Sequence, residues 1–206
     1  MKLFIKQNIS AISWTLGSIV TILAVYVWAS GVQYQFSSLT IYSIFPLLGL
    51  LAFSLMWTHY VIHSLNVYAE VTPTEQSQYA KITGYAVLMA IMLHPGLLIY
   101  KLYADGFGLP PKSYLEYVGP TMGGFVILGT IALIAFILYE LRHKLNKYKW
   151  WPVVLAFNAV AMLLILVHGL ALGQNLQNGF LRAVWYFYGF ILVVCYGYLI
   201  RKKKLY

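Results

Sequence analysis

The stretch that decides the fold is ITGYAVLMAIMLHPGLLIY, residues 82–100, an uncharged run of membrane length that contains one histidine, His94. A second run, WWPVVLAFNAVAMLLILVHGLAL at residues 150–172, also contains one histidine, His168. About 20 apolar residues are needed for a helix to cross the hydrocarbon core of a bilayer. An imidazole at that depth is costly unless it faces the protein interior and finds a partner, so both histidines are candidate site residues.

The composition places the whole chain in a membrane. Of its 206 residues 61% are hydrophobic and only 9% are charged, whereas soluble domains have about 25% charged residues. The apolar runs are continuous and lack the alternation of barrel strands, so they predict helices. We predict an all-α, polytopic membrane bundle of six transmembrane helices, a single domain over residues 1–206, with spans near 11–32, 41–62, 82–100, 117–139, 150–172 and 183–200.

The charge pattern predicts the orientation of the bundle. Of the 14 basic residues, only Lys101, Lys112 and Arg182 fall on one side of the predicted spans. All the others fall on the opposite side, and the positive-inside rule places that side, with both termini, in the cytoplasm. The net charge of +9 is therefore a topology signal, and we expect no nucleic-acid partner. We expect a multi-pass protein of the bacterial cytoplasmic (inner) membrane.

His94 and His168 are expected to share one ligand. Their spans run in the same direction, and the distances of the two residues from the inner ends of the spans place them at similar depth, within roughly 3–5 Å at about 1.5 Å rise per residue. Imidazoles from two helices are a common way to hold a heme iron from both sides in an apolar slot. The pair therefore predicts a cofactor-binding site with His94 and His168 as axial ligands of the heme iron.

A second polar group lies toward the inner side. His59 and His63 are four residues apart, so they share a helix face, and Asn158 falls in the inner half of the fifth span. These residues are candidates for a second heme or a quinone site. The simpler interpretation is that His63 lies among the headgroups and His59 bonds to a neighbouring helix. His143 lies in a short basic loop and is expected to be solvated.

The six spans, the histidine in ITGYAVLMAIMLHPGLLIY and the segment ELRHKLNKYKWWPVVLAFNAVAMLLILVHG resemble the ferric reductase-like transmembrane domain superfamily. That superfamily includes the NADPH oxidases and the heme-binding membrane subunit of the bacterial methionine sulfoxide reductase system. Two-heme members have two histidines in each of these spans, 13 or 14 residues apart. At the corresponding positions this chain has Ala80 in one span and Val154 and Leu155 in the other. The resemblance therefore implies one heme b, held by His94 and His168.

The expected function is that of a membrane b-type cytochrome, which relays electrons through a bis-histidine heme to an external acceptor. The donor is expected to be a quinol or a separate protein that carries the flavin, because the loops are too short for a flavin domain. A quinone is a second candidate cofactor. The alternative is a heme-free, non-catalytic structural or assembly subunit of a membrane complex. A small transporter is disfavoured, since apart from Pro95 nothing interrupts the midplane helices.

Overall fold

The computed structural model describes residues 1–71, 78–141, 145–177 and 179–204. Within these ranges the chain is helical without strands, and six helices are long and apolar enough to cross a membrane, which confirms the predicted all-α multi-pass bundle. His143 lies outside the described residues. The α-helices are α1 Lys2–Gly31, α2 Ile41–Ala69, α3 Gln78–Ala104, the short α4 Lys112–Val118, α5 Gly123–Glu140, α6 Trp151–Leu172 and α7 Phe180–Arg201.

Local sequence signals account for several helix boundaries. Thr40 begins α2 with a capping box that it forms with Ser43, which satisfies backbone donors that a helix start would otherwise leave free. Pro152 lies in the first turn of α6, where its missing N–H costs nothing. Pro46 and Pro95 lie inside α2 and α3, and both helices continue past them.

Helix α2 lies at the centre of the bundle and packs against α1, α3 and α7, while α5 packs mainly against α6. Trp57 of α2 stacks on Tyr188 of α7 with ring centroids 4.4 Å apart. The indole Nε1–H of Trp57 also donates to the Tyr188 carbonyl at 3.0 Å. The core therefore lies mostly between α1, α2, α6 and α7.

The outer faces of the helices remain apolar. Side chains on the outward face of α3, for example Tyr85, Met89 and Met92, are half exposed or more. A soluble protein rarely exposes large continuous apolar surface. Lipid contact accounts for this surface on a chain with six spans.

Candidate functional site

The two predicted histidines lie on two separate helix pairs and are held in the same way. On α3, Nδ1 of His94 lies 2.7 Å from the carbonyl oxygen of Phe45 on α2. On α6, Nδ1 of His168 lies 2.8 Å from the carbonyl oxygen of Phe125 on α5. A carbonyl oxygen only accepts, so Nδ1–H donates in both cases and Nε2 has the lone pair.

A glycine on the partner helix makes room for each imidazole. A Cβ added at Gly49 would lie 2.9 Å from Cε1 of His94, and one added at Gly129 would lie 2.6 Å from Nδ1 of His168. Real Cβ atoms do not approach ring atoms so closely. Each glycine lies four residues after the phenylalanine whose carbonyl accepts the hydrogen bond, so one face of the partner helix both makes room for the ring and orients it.

The same five-residue pattern occurs on both partner helices. Residues 45–49 read FPLLG and residues 125–129 read FVILG, with phenylalanine, leucine and glycine at matching positions. Neither this repeat nor the glycines in it were identified from the sequence as part of a site. The repeated FxxLG pattern was the available signal for the helix faces on which the histidines are seated.

The two imidazoles lie in the same part of the bundle. The electrostatic interaction with His168 is the smallest of the influences on His94, and both residues are partly buried. Neither Nε2 atom makes a hydrogen bond within the described ranges. Because α3 makes few backbone contacts with α5 and α6, the bundle is loosely closed on this side. Ligating histidines usually donate the other ring N–H to a carbonyl or carboxylate, so these residues fit an axial pair for heme iron.

The half of the bundle nearer the two chain termini, called the inner half, contains a cavity of about 260 Å³ between α2, α3, α5 and α6. The predicted residues His59, His63 and Asn158 all line it. Leu155, one of the positions where two-heme relatives have a histidine, also lines it. The structure therefore brings the three predicted residues together at one cavity, and neither His94 nor His168 is among the residues that line it.

The inner histidines have the opposite tautomer from the outer ones. Thr83 on α3 donates its hydroxyl hydrogen to the carbonyl of Tyr79 at 2.7 Å, so its oxygen accepts from Nε2–H of His59, also at 2.7 Å. His63 donates Nε2–H to the carbonyl of Lys204 at 2.9 Å. The lone pair is thus on Nδ1 in both rings. The expected bond from His59 to a neighbouring helix is confirmed.

Asn158 contributes a further acceptor. Its Nδ2 donates to the hydroxyl of Tyr60 at 2.9 Å. That hydroxyl in turn donates to the backbone carbonyl of Asn158 at 3.5 Å. This arrangement fixes the amide orientation. Oδ1 is buried and has no hydrogen-bond partner within the described residues. A buried polar atom without a partner costs about 1–3 kcal/mol, which a donor in the cavity would offset.

Two of the basic residues at the outer end of the bundle form ion pairs. Lys101 pairs with Asp105, and Lys112 lies 3.6 Å from Glu116. The described part of the chain contains no cluster of three or more residues typical of a bare metal ion. The histidine pair is suited instead to a metal whose other ligands come with the cofactor.

Comparison of the chain with family models, curated proteins and solved structures gives no match.

Proposed function

We propose that this protein is a membrane b-type cytochrome of the ferric reductase-like kind, with His94 and His168 as the axial ligands of one heme b. The proposal is based on one observation, which is that the two imidazoles have the same backbone contacts on their neighbouring helices. Each donates Nδ1–H to a phenylalanine carbonyl on the neighbouring helix and leaves Nε2 with a lone pair. Helix packing alone does not require the same tautomer and the same FxxLG support twice.

The bound heme would supply a reversible one-electron couple within the apolar bundle. The chain would supply the ligands and their orientation. Phe45 and Phe125 hold the rings by their carbonyls, and Gly49 and Gly129 let the rings lie against the backbone. Two imidazole ligands leave no open position on the iron, which favours outer-sphere electron transfer to an acceptor on the external face.

The inner cavity would receive the electron donor. Its volume of about 260 Å³ lies near the low end for ligand pockets, which suits one substituted ring better than a second macrocycle. His59 and His63 lie on the same helix, so they could not clamp an iron from opposite sides. These features favour a quinol donor over a second heme. Any flavin would be bound by a separate donor protein. This chain would function in the bacterial cytoplasmic membrane.

A second candidate is a heme-free structural or assembly subunit. The observation in its favour is that each of the four described histidines already makes a hydrogen bond within the chain. Those bonds could stabilise helix packing without any ligand. In that case the lone pairs on Nε2 of His94 and His168 would have no role.

Absorption spectra of the detergent-purified protein distinguish the two candidates. We expect a sharp α-band on dithionite reduction and about one heme b per chain by pyridine hemochrome. The His168→Ala variant should lose the heme and keep its helical circular dichroism, whereas His63→Ala should keep the heme. A colourless protein after heme supplementation would support the structural subunit. About two hemes per chain would make His59 or His63 a ligand.

A further inference from the structure

Two polar atoms of residues that line the inner cavity, Nδ1 of His59 and Oδ1 of Asn158, are hydrogen-bond acceptors. We propose that this cavity selects the reduced, two-hydroxyl form of a quinone, and that Nδ1 of His59 accepts a proton when that quinol is oxidised. This inference rests on the proposed electron relay. It goes beyond that relay by naming the redox state that is bound and the residue that takes the proton.

Two hydrogen bonds within the protein decide which atoms of His59 and Asn158 are left to bind a ligand. Thr83 occupies Nε2–H of His59, which leaves an acceptor at Nδ1. Tyr60 occupies Nδ2 of Asn158, which leaves an acceptor at Oδ1. A quinol has two hydroxyl donors, which match these two acceptors in number and in type. An oxidised quinone has only carbonyl oxygens, which would place lone pairs against lone pairs, so we expect the reduced form to bind more tightly.

His59 is better placed than Asn158 to take a proton. The lone pair of a neutral imidazole nitrogen can accept a proton, whereas an amide oxygen is far too weak a base. Thr83 holds the ring so that the basic nitrogen is the unoccupied one. Asn158 would then hold the second hydroxyl and orient the ring.

The chemistry balances with the acceptor already proposed. Oxidation of one quinol breaks two O–H bonds and releases two electrons and two protons, leaving the quinone. The electrons move singly toward the His94–His168 site, and the external acceptor takes them up. His59 receives a proton at Nδ1 and releases it toward the inner end of the bundle before receiving the second.

Several titratable groups surround His59 and contribute to any measured pH profile. His63 and Tyr60 lie on the same helix, and Tyr79 contacts the His59 ring from α3 with centroids 5.9 Å apart. Tyr139 and Glu140 of α5 line the same cavity. A profile for the wild type alone would therefore not identify the group, and the variants below are needed.

Binding is measured first, because it does not depend on heme. The full-length protein in detergent is titrated with duroquinol and with duroquinone by anaerobic calorimetry. We expect duroquinol to bind about tenfold more tightly, which corresponds to about 1.4 kcal/mol. Asn158→Leu should remove most of that preference, and Thr130→Val, on a lipid-facing side chain, should leave it unchanged. Equal or tighter binding of duroquinone would overturn the proposal.

Proton uptake is tested by the rate of heme reduction by duroquinol in stopped flow between pH 4 and pH 8. The wild-type rate should fall toward the acidic end of this range, as the protonated fraction of His59 rises. His59→Gln retains an acceptor but cannot take a proton, so it should bind duroquinol yet react up to about 100-fold more slowly and lose that pH dependence. A His59→Gln variant with the wild-type rate and profile would refute the role of His59.

The two proposals fail in different ways. If the protein binds duroquinol preferentially but contains no heme, the cytochrome proposal is wrong and the redox selectivity of the cavity stands. If the protein contains heme but shows no preference for duroquinol, the cytochrome proposal stands and the inference about the cavity is wrong.

Discussion

The outer and inner halves of the bundle both use histidine, but they leave opposite ring nitrogens available. In the outer half, Nδ1–H of His94 and His168 is donated to a backbone carbonyl and Nε2 has the lone pair. In the inner half, His59 and His63 donate Nε2–H and have the lone pair on Nδ1. The partner on the neighbouring element selects the tautomer, so residues of one type acquire different chemistry.

The two halves also differ in what lies against the histidine rings. Each outer imidazole lies against a glycine of the helix with which it pairs. The inner histidines have side-chain or C-terminal backbone partners, and beside them Gly84 has open space around its Cβ position. The outer half is therefore shaped around the rings, while the inner half leaves a cavity for a ligand to fill.

The largest effect is expected from filling the space under an outer ring. In Gly129→Ala the new Cβ would lie 2.6 Å from Nδ1 of His168, so the ring must move away from the Phe125 carbonyl. Loss of such support typically costs 10- to 100-fold in metal affinity, and we expect a loss of that size in heme affinity. Gly124→Ala, with nothing within 4 Å of its Cβ position, is the matched control. Equal heme titrations for the two variants would contradict the supporting role of Gly129.

A smaller effect is expected from a substitution that no longer fixes the tautomer of His59. Thr83→Val removes the acceptor of His59 Nε2–H, so Nε2 and Nδ1 compete for the proton. A net hydrogen bond contributes about 0.5–1.5 kcal/mol, which corresponds to about 2- to 10-fold weaker duroquinol binding. Thr130→Val is the control, since Thr130 also bonds to the carbonyl four residues before it. Loss of heme from Thr83→Val would mean that the two halves are not independent.

The smallest effect is expected at the outer ion pair. The hydrogen bond from Lys101, with that from Tyr42, lowers the pKa of the Asp105 carboxyl below its usual value of 3.8. A lowered folded-state pKa means that the contribution to stability is present above pH 3.8 and is lost as pH falls through the lower value. Asp105→Asn should lower the melting temperature slightly at pH 7, and the difference should vanish at strongly acidic pH. A change in its heme spectrum would place this pair in the site.

The six spans could be predicted from the sequence, because membrane-length apolar runs are local signals. An imidazole within such a run is also a local signal, and the heme site at His94 and His168 stays a prediction. The helices are longer than the predicted windows, since α1 begins at Lys2 and α2 continues to Ala69. Hydropathy marks only the part of a helix that lies in hydrocarbon. Polar residues extend the helices beyond it.

The partners of the histidines could not be predicted in the same way. Phe45 precedes His94 by 49 residues and Thr83 follows His59 by 24, so each contact depends on how helices turn about their own axes when they pack. Periodicity within one span does not give that rotation. The repeated FxxLG pattern would have indicated a common face on α2 and α5, but only after comparison of the two halves of the chain.

The order of helices along the chain has a consequence for biogenesis. Each outer histidine is held by a hairpin of consecutive spans, α2 with α3 and α5 with α6, so each half-site can assemble soon after its own hairpin leaves the ribosome. The aromatic faces of Trp57 and Phe53 are covered by Tyr188 and Trp185 of α7, which is synthesised after α1–α6. Until α7 is inserted, those faces lie against lipid or an insertion chaperone, and α7 completes the joining of the two hairpins.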